Sequence, residues 1–268
     1  MASNRHISLA LICEGPTDIP IIEAVAAKVQ KKTATSISIN VTHPDFDATS
    51  GLYESWGWTQ ICKWCNDFSA PTQHNTGSSH NIAQRMGFDV SKLSAPKHNP
   101  SRWAMMSCCN DAVIIVMDTD IAEEISNHNK GPSSSSNTYL SFNPSLQSRR
   151  DYCKMSVESW LNIKENDDEK LIFVLPTYAI ETWLLALHCN RTDPDVFPCS
   201  CKNYEEISEP ADMLVRLGYK SHKDSIKKSK EEYEKHAKNF GHNMYRSVRR
   251  CPELCIFVRK LIALEDNR

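Results

Sequence analysis

Residues 9–18 read Leu9-Ala10-Leu11-Ile12-Cys13-Glu14-Gly15-Pro16-Thr17-Asp18, and this run sets the architecture of the chain. Its apolar run is too short for a helix and ends at Glu14, the Gly-Pro pair forces a turn, and an amphipathic pattern begins after Thr17 and Asp18. This order predicts a strand, a turn and a helix. A carboxylate at the C-terminal end of a buried strand lies where open α/β sheets place their binding sites. The alternative is an ordinary acid in a solvated turn.

The residues around this stretch complete a βαβ unit. The first strand runs from His6 to Cys13, and a helix from about Ile19 to Lys31 follows it. The residues from Thr35 to Thr42 alternate with period two and are rich in β-branched side chains, which predicts a second strand. Strand, helix and strand at this spacing indicate parallel strands joined by a right-handed crossover.

Acids follow two further apolar runs. The run from Asp111 to Met117 reads as a strand buried on both faces, and it ends at Asp118 and Asp120. Glu181 comes shortly after the short apolar run Lys170 to Leu175. Because the C-terminal ends of parallel strands lie at one edge of a sheet, we expect Glu14, Asp118, Asp120 and Glu181 to converge.

Convergent carboxylates indicate a bound cation. Like charges at short range repel, so several neighbouring acids stay ionised only beside a neutralising ion. Oxygen ligands suit Mg²⁺ or Mn²⁺. Asp118 and Asp120 project to the same side of an extended strand, where Thr119 does not. Two alternatives stay open: Asp120 caps the helix that begins near Ile121, and Asp18 caps the helix after the first turn.

The motif Glu14-Gly15-Pro16-Thr17-Asp18 after a first strand, with Asp118-Thr119-Asp120 after a later one, resembles the Toprim fold of topoisomerases, primases and OLD-type nucleases. The resemblance implies that Glu14 acts as general acid or base at a scissile phosphate, or as a metal ligand, and that Asp118 and Asp120 coordinate Mg²⁺. It makes Asp18 an additional acid of the nuclease branch. The segment from Tyr178 to Ala186 resembles small Toprim-like phage-defence proteins, which makes Glu181 a further candidate ligand.

The fold class expected is α/β, a Toprim-like (Rossmann-like) mostly parallel sheet flanked by helices. We expect a catalytic core over residues 1–190, with an inserted subdomain at about 43–110 and a mobile loop at about 127–148. Residues 191–268 are expected to form a helical, basic C-terminal region. The insertion departs from a minimal Toprim core, which has far fewer residues there.

The basic residues of the C-terminal region suggest contact with nucleic acid. Between Arg216 and Arg250 there are 11 Lys or Arg residues against four acids, interleaved with three tyrosines. We predict a helix over Pro210 to Phe240 and a final helix, interrupted near Pro252, from Tyr245 to Glu265. On the first helix Lys220, Lys223 and Lys227 would share one face, with Lys228 beside them, while Tyr219, Tyr233 and Tyr245 would serve as stacking groups. The alternative is a solvated charged helix face.

Composition narrows the class of protein. A chain of 268 residues with 24% charged and 40% apolar residues and a net charge of −2 is typical of a globular protein that does not coat nucleic acid with its whole surface. No apolar run is long enough to span a bilayer and no export signal is evident, so we expect a cytoplasmic protein without a membrane partner. The 11 cysteines read as reduced thiols. A zinc site is the alternative, built from Cys62 and Cys65 with Cys199 and Cys201 or with Cys108 and Cys109.

These observations favour a metal-dependent nuclease that cleaves DNA or RNA. The resemblance further implies a toxic effector of bacterial phage defence that acts beside an ATPase partner. The sequence has no phosphate-binding Gly-x-x-x-x-Gly-Lys loop, so any ATP-driven step would need a partner protein. Two alternatives stay open: a non-catalytic Toprim-like binding or regulatory module, and a phosphatase acting on a small phosphoester. Whether the chain acts as a monomer or a homo-oligomer is also open.

Overall fold

The central element is a parallel sheet of four strands. A computed structural model describes residues 6–33, 35–47, 49–50, 52–53, 56–69, 109–133, 138–163, 170–188, 203–222 and 225–266. The strands of the sheet are β1 (His6–Cys13), β2 (Ser36–His43), β5 (Ala112–Val116) and β6 (Leu171–Val174), and they lie side by side in the order β2-β1-β5-β6. Cys13 pairs with Val116, and Val116 pairs with Val174, so three strands end in register. The expected α/β class with a parallel sheet flanked by helices is confirmed.

Side chains that alternate along the strands build a separate hydrophobic cluster on each face of the sheet. Leu9, Leu11 and Cys13 point to one cluster, whereas Ala10 and Ile12 point to the other. Because both faces are covered, β1 and β5 are almost continuously apolar, which is the pattern that made them recognisable in the sequence.

Helices cover both faces. The first cluster is closed by α1 (Asp18–Thr33), α5 (Glu181–Leu185), α6 (Pro210–Arg216), α7 (Lys230–Val248) and α8 (Pro252–Asp266). The second is closed by α2 (Trp58–Ser69), α3 (Ala122–Asn127) and α4 (Arg149–Leu161). Helices from both sides of position 190 therefore share the first cluster, and α7 packs directly on α1.

The expected insertion begins with a short antiparallel pair, β3 (Phe46–Asp47) and β4 (Leu52–Tyr53), which is followed by α2. Residues 70–108 of the insertion lie outside the described part of the chain. Between Asn127 and Arg149 the described residues are irregular, apart from an isolated bridge between Ser133 and Tyr139.

The helix predicted over Pro210 to Phe240 is wrong. The structure divides it into α6, an antiparallel pair formed by β7 (Ser221–His222) and β8 (Ser225–Ile226), and α7. The cause is Gly218, which adopts a φ of 91° just after α6. Its N–H donates to the Val215 carbonyl and the next N–H donates to the Leu214 carbonyl, the pair of bonds that ends a helix in a Schellman motif. Lys220 and Lys227 therefore do not share a helix face.

The predicted boundary between the last two helices is also corrected, because α7 continues to Val248 and α8 begins at Pro252.

None of the helices in the described part of the chain combines the length and hydropathy that a bilayer crossing requires. Cys62 and Cys65 are buried free thiols, and Cys109 is an exposed one. Cys108, Cys199 and Cys201, the remaining members of the zinc alternative, lie outside the described residues.

Candidate active site

Glu14 lies at the turn that ends β1, at the C-terminal edge of the sheet. Its carboxylate accepts a hydrogen bond from the backbone N–H of Asp118 at 3.3 Å. Its backbone carbonyl accepts from the N–H of Gly57 at 2.7 Å, which ties the start of α2 to the same turn. Burial, and then the charges of Asp18 and Asp120, raises the pKa of Glu14 to about 8. This carboxyl is therefore able to exchange a proton near neutral pH.

Asp18 is the first residue of α1 and is buried. Its carboxylate accepts from the backbone N–H of Gly15 at 3.0 Å, so it stabilises the Gly-Pro turn as well as contributing charge. Burial, and then the charge of Glu181, raises the pKa of Asp18 to about 7.

Asp118 and Asp120 follow β5. The carboxylate of Asp118 accepts from the N–H of Ile180 at 2.9 Å, which links the ends of two neighbouring strands. Burial raises the pKa of Asp118 well above its usual value, with further contributions from Glu181, Glu14 and Asp18. Burial also raises the pKa of Asp120, and the charge of Lys228 opposes that shift.

The capping alternative for Asp120 is wrong, because the N-cap of α3 is Ile121 and that helix start has no side-chain cap hydrogen bond. The backbone carbonyl of Asp120 accepts from Arg149 at 3.2 Å. β5 ends at Val116, before the three residues whose alternation was predicted for an extended strand. Thr119, between the two acids, is fully buried and its hydroxyl donates to the carbonyl of Pro176 at 2.8 Å.

Glu181 is 2% exposed and is the most deeply buried acid of the group. One of its oxygens, Oε1, accepts the phenolic O–H of Tyr233 at 2.5 Å and lies 3.3 Å from Nζ of Lys228. The other, Oε2, is buried and has no hydrogen-bond partner among the described residues. A buried carboxylate oxygen without a partner is unfavourable, which is the situation that a cation would relieve.

The structure brings together all five acids expected at this edge, since each acts electrostatically on other members of the group: Glu14, Asp18, Asp118, Asp120 and Glu181. We call them the acidic cluster. Lys228 lies beside the acidic cluster, in contact with Glu181. Glu181 raises the pKa of this lysine most, and Asp118 and Asp18 add to the effect.

Two of the cluster's neighbours come from the C-terminal region. The sequence pattern nominated Lys228 for nucleic acid and gave Tyr233 a stacking role, and the second of these is wrong because Tyr233 is fully buried. A signal for its burial was present: Tyr233, Ala237, Phe240 and Met244 recur at helical spacing, and all four are buried on one face of α7.

The other residues nominated for nucleic acid are placed differently. Lys220 forms an ion pair with Glu232 at 2.8 Å, and its carbonyl accepts the N–H of Lys227 at 2.7 Å across the β7–β8 pair. Lys227 is exposed, and Lys223 lies outside the described residues. Tyr219 packs against His188 and His236, whereas Tyr245 is 55% exposed.

The donor set fits a hard divalent cation in its chemistry, because it consists of carboxylates and includes the unpartnered Oε2 of Glu181. The described side chains are not arranged as a finished metal site: within the ranges given above, no group of three or more His, Cys, Asp or Glu residues could hold an ion. Lys228 supplies positive charge in this arrangement. Holding an ion therefore requires the carboxylates to change their side-chain conformations.

Comparison of the chain with protein-family models, curated proteins and solved structures gives no match.

Proposed function

We propose that this chain is a divalent-metal-dependent phosphodiesterase that cleaves nucleic acid, and that it is related to the Toprim nucleases. The observation that carries the proposal is the acidic cluster, in which acids from three strand ends meet beside the ammonium group of Lys228. Such a site combines ligands for a cation with a positive charge for a phosphate. A role in phage defence beside an ATPase belongs to the same proposal and rests on the sequence resemblance.

Each residue has a distinct task in this mechanism. Asp118, Asp120 and Glu181 would hold Mg²⁺ or Mn²⁺, with Asp18 as a further ligand. The chemistry that such an ion supplies when bound is Lewis-acid polarisation of a phosphoryl oxygen. Glu14 transfers the proton, because burial, the largest influence on this carboxyl, raises its pKa and so favours a protonated form that can serve as an acid. Lys228 has a side chain that is 56% exposed, so it can reach a phosphate that approaches the cluster.

One observation favours a second function, that of a non-catalytic binding module. Lys228 already neutralises part of the cluster, and no three described acids are arranged as metal ligands. A site that stays in this arrangement would bind a partner or an anion without cleaving it.

Cleavage assays separate these functions. The full chain is incubated with plasmid, single-stranded DNA, tRNA, the diester bis(p-nitrophenyl) phosphate and the monoester p-nitrophenyl phosphate, in Mg²⁺, in Mn²⁺ and in EDTA. We expect cleavage that EDTA abolishes. Removing a general acid or base costs about 100- to 10,000-fold in rate, so Glu14→Gln should lose that much, and Asp118→Ala should abolish cleavage.

The matched control is Glu209→Gln, which neutralises an exposed acid at the start of α6. This variant should cleave as the unmodified chain does. Metal-dependent cleavage retained by both Glu14→Gln and Asp118→Ala would refute the proposal. Hydrolysis of p-nitrophenyl phosphate alone would indicate the phosphatase, and no hydrolysis of any substrate would indicate the binding module.

A further inference from the structure

Two large aromatic side chains are exposed to solvent close to the acidic cluster. Phe46 is 54% exposed and Trp56 is 60% exposed. Exposed aromatic rings are hydrophobic surface that a chain usually buries, so a pair of them at the border of a candidate active site points to a ligand with flat, apolar faces.

Trp56 is held near the catalytic glutamate by the backbone. The N–H of the next residue, Gly57, donates to the carbonyl of Glu14 at 2.7 Å. Gly57 has a φ of 101°, a left-handed conformation that favours glycine, and this turn leads the chain from Trp56 into α2. Trp56 is therefore the neighbour in sequence of a residue that is hydrogen-bonded to Glu14.

Phe46 is held near the lysine of the cluster. Its ring contacts that of Tyr53 across the β3–β4 pair, with 5.2 Å between centroids. The ammonium group of Lys230 lies 5.9 Å from the Phe46 centroid and 5.5 Å from the Tyr53 centroid. The carbonyl of His43, which ends β2 three residues before Phe46, accepts the Cys13 thiol hydrogen at 3.5 Å, and Cys13 precedes Glu14. The ring pair therefore follows the strand end next to the one that carries Glu14, and Lys230 comes two residues after Lys228 in the chain. We call Phe46, Tyr53 and Trp56 the aromatic rim.

Positive charge accompanies these rings. Lys227, Lys228 and Lys230 are all exposed along the segment that enters α7. The acid beside Phe46, Asp47, accepts hydrogen bonds from the N–H groups of Thr49 and Ser50 at 2.8 and 3.2 Å, which offset part of its charge. Rings that can stack and lysines that can contact phosphates are the two components of surfaces that bind single strands.

We propose that the aromatic rim binds single-stranded nucleic acid, DNA or RNA, with bases stacked on Phe46 and Trp56 and phosphates contacted by Lys227 and Lys230. The inference names the substrate class of the proposed phosphodiesterase and rests on that function. In a duplex the faces of the bases are covered by neighbouring base pairs, so rings at the surface of a protein have nothing to stack on. A single strand offers these faces and its phosphates together.

The test is a binding measurement that does not need cleavage. The full chain carrying Glu14→Gln is titrated, in Mg²⁺, into a fluorescein-labelled thymidine oligonucleotide, its uridine counterpart and a duplex of the same length, and anisotropy is recorded. We expect tighter binding of one or both single strands than of the duplex. Adding Phe46→Ala or Trp56→Ala should weaken single-strand binding about 5- to 100-fold each, since stacking is worth about 1–3 kcal/mol per base.

The comparison variant is Tyr245→Ala, which removes an exposed ring that the sequence pattern also nominated for stacking but that lies on α7, about 22 Å along the helix from Lys230 and outside the aromatic rim. It should bind as the Glu14→Gln background does, and the melting temperatures of all three alanine variants should agree. Equal affinity for duplex and single strand, or rim variants that bind as tightly as Tyr245→Ala, would overturn the inference.

The binding measurement and the cleavage assay test the two proposals separately. If the unmodified chain cleaves nucleic acid while the rim variants keep full affinity, the phosphodiesterase stands and the aromatic rim is excluded. If the rim variants lose single-strand affinity but the unmodified chain cleaves nothing, the single-strand site stands and the catalytic function is excluded. Preference for the thymidine or the uridine strand identifies DNA or RNA as the ligand.

Discussion

Nζ of Lys228 lies 3.3 Å from Oε1 of Glu181, and this ion pair joins the start of the C-terminal helical region to the acidic edge of the sheet. Glu181 is almost fully buried, whereas 56% of the lysine side chain is exposed. The pair therefore places a positive charge beside the acidic cluster. Burial, and then repulsion between the acids, raises the pKa values of Glu14, Asp18 and Asp118 in that cluster.

Replacing Lys228 should destabilise the chain at alkaline pH. Lys228→Met removes the positive charge that lowers the pKa values of Glu14, Asp18 and Asp118, so ionising these acids in the folded state becomes more costly. We expect a lower melting temperature than that of the unmodified chain at about pH 8.5, and a smaller difference at about pH 5.5, where the raised carboxyls hold protons. Differential scanning fluorimetry in EDTA measures both.

The control for that charge is Lys227→Met, because Lys227 is the exposed neighbour in the chain. It should change the melting temperature little at either pH. A Lys228→Met variant that is more stable than the unmodified chain at alkaline pH would show that the ion pair does not neutralise the acidic cluster.

The metal-free chain should lose stability as the pH rises. In the folded state the pKa of Glu14 is raised to about 8 and that of Asp18 to about 7. In the unfolded chain the pKa values of Glu and Asp are about 4.3 and 3.9. Between these values the folded state binds more protons than the unfolded state, so the free energy of unfolding falls with increasing pH. Each carboxyl contributes at most about 1.4 kcal/mol per pH unit within its window.

Urea unfolding from about pH 5 to pH 8.5 in EDTA measures this slope. The double variant Glu14→Gln, Asp18→Asn should flatten it, because neither amide titrates. Mg²⁺ or Mn²⁺ should restore stability to the unmodified chain at the alkaline end and do so less for the double variant. The same slope in both proteins would place the titrating groups elsewhere.

Removing the hydroxyl of Tyr233 should weaken the fold from within. Tyr233→Phe deletes the O–H that donates to Glu181 and leaves Oε1 of a buried carboxylate with Lys228 as its remaining described partner. Losing a hydrogen bond to a buried charged group costs about 1–3 kcal/mol in the free energy of unfolding. Tyr245→Phe, at an exposed phenol, is the matched control and should cost much less. Equal effects of the two substitutions would contradict this role.

A second buried acid should depend on its arginine. Arg150 on α4 pairs with Glu253 on α8 at 2.8 Å, and the Glu253 side chain is only 3% exposed. Burial raises the pKa of Glu253 to about 7, and the positive charge of Arg150 keeps this pKa from rising further. Arg150→Met should therefore cost about 2–3 kcal/mol at about pH 8.5, less than for a fully buried pair because the arginine is partly exposed. The loss should shrink as the pH falls through about 7, because Glu253 becomes neutral there and no longer attracts the arginine.

The comparison for Arg150 is Lys154→Met on the same helix, whose partner Glu158 is more accessible. Surface pairs of this kind contribute about 1 kcal/mol or less. Chemical denaturation of the two variants at two pH values gives the contrast, and a pH-independent loss in Arg150→Met would show that packing, not charge, is what Arg150 contributes.

Local sequence patterns predicted the elements that carry the acids. The apolar run before Glu14 and the one before Asp118 are short, continuous and followed by acids, and the structure has both as strands of the parallel sheet. The rule that parallel strand ends share an edge then placed Glu181 near them without any knowledge of long-range contacts. These inferences succeed because a short apolar run is a local signal, and because strands joined by helical crossovers pair in parallel.

The neighbours of the acidic cluster could not be found in this way. Lys228 and Tyr233 reach Glu181 only because the chain reverses after α6, and the pairing of residues so distant in sequence leaves no periodic pattern. The reversal itself had a signal in Gly218, since glycine after a charged helical segment is the residue that ends helices with a positive φ. The high charge of the surrounding residues favoured a continuous helix and obscured it.

The hydrogen bond between Tyr233 and Glu181 also has a consequence for protein synthesis. The ribosome makes Glu14, Asp118 and Glu181 well before Lys228 and Tyr233, so a nascent chain can fold its sheet while the last two partners of Glu181 are still missing. Its strand-end acids would repel one another until α7 emerges and packs on α1. If the chain cleaves the nucleic acids of its own cell, as the proposed function implies, a site that is completed only after α7 has been made would keep shorter nascent chains inactive.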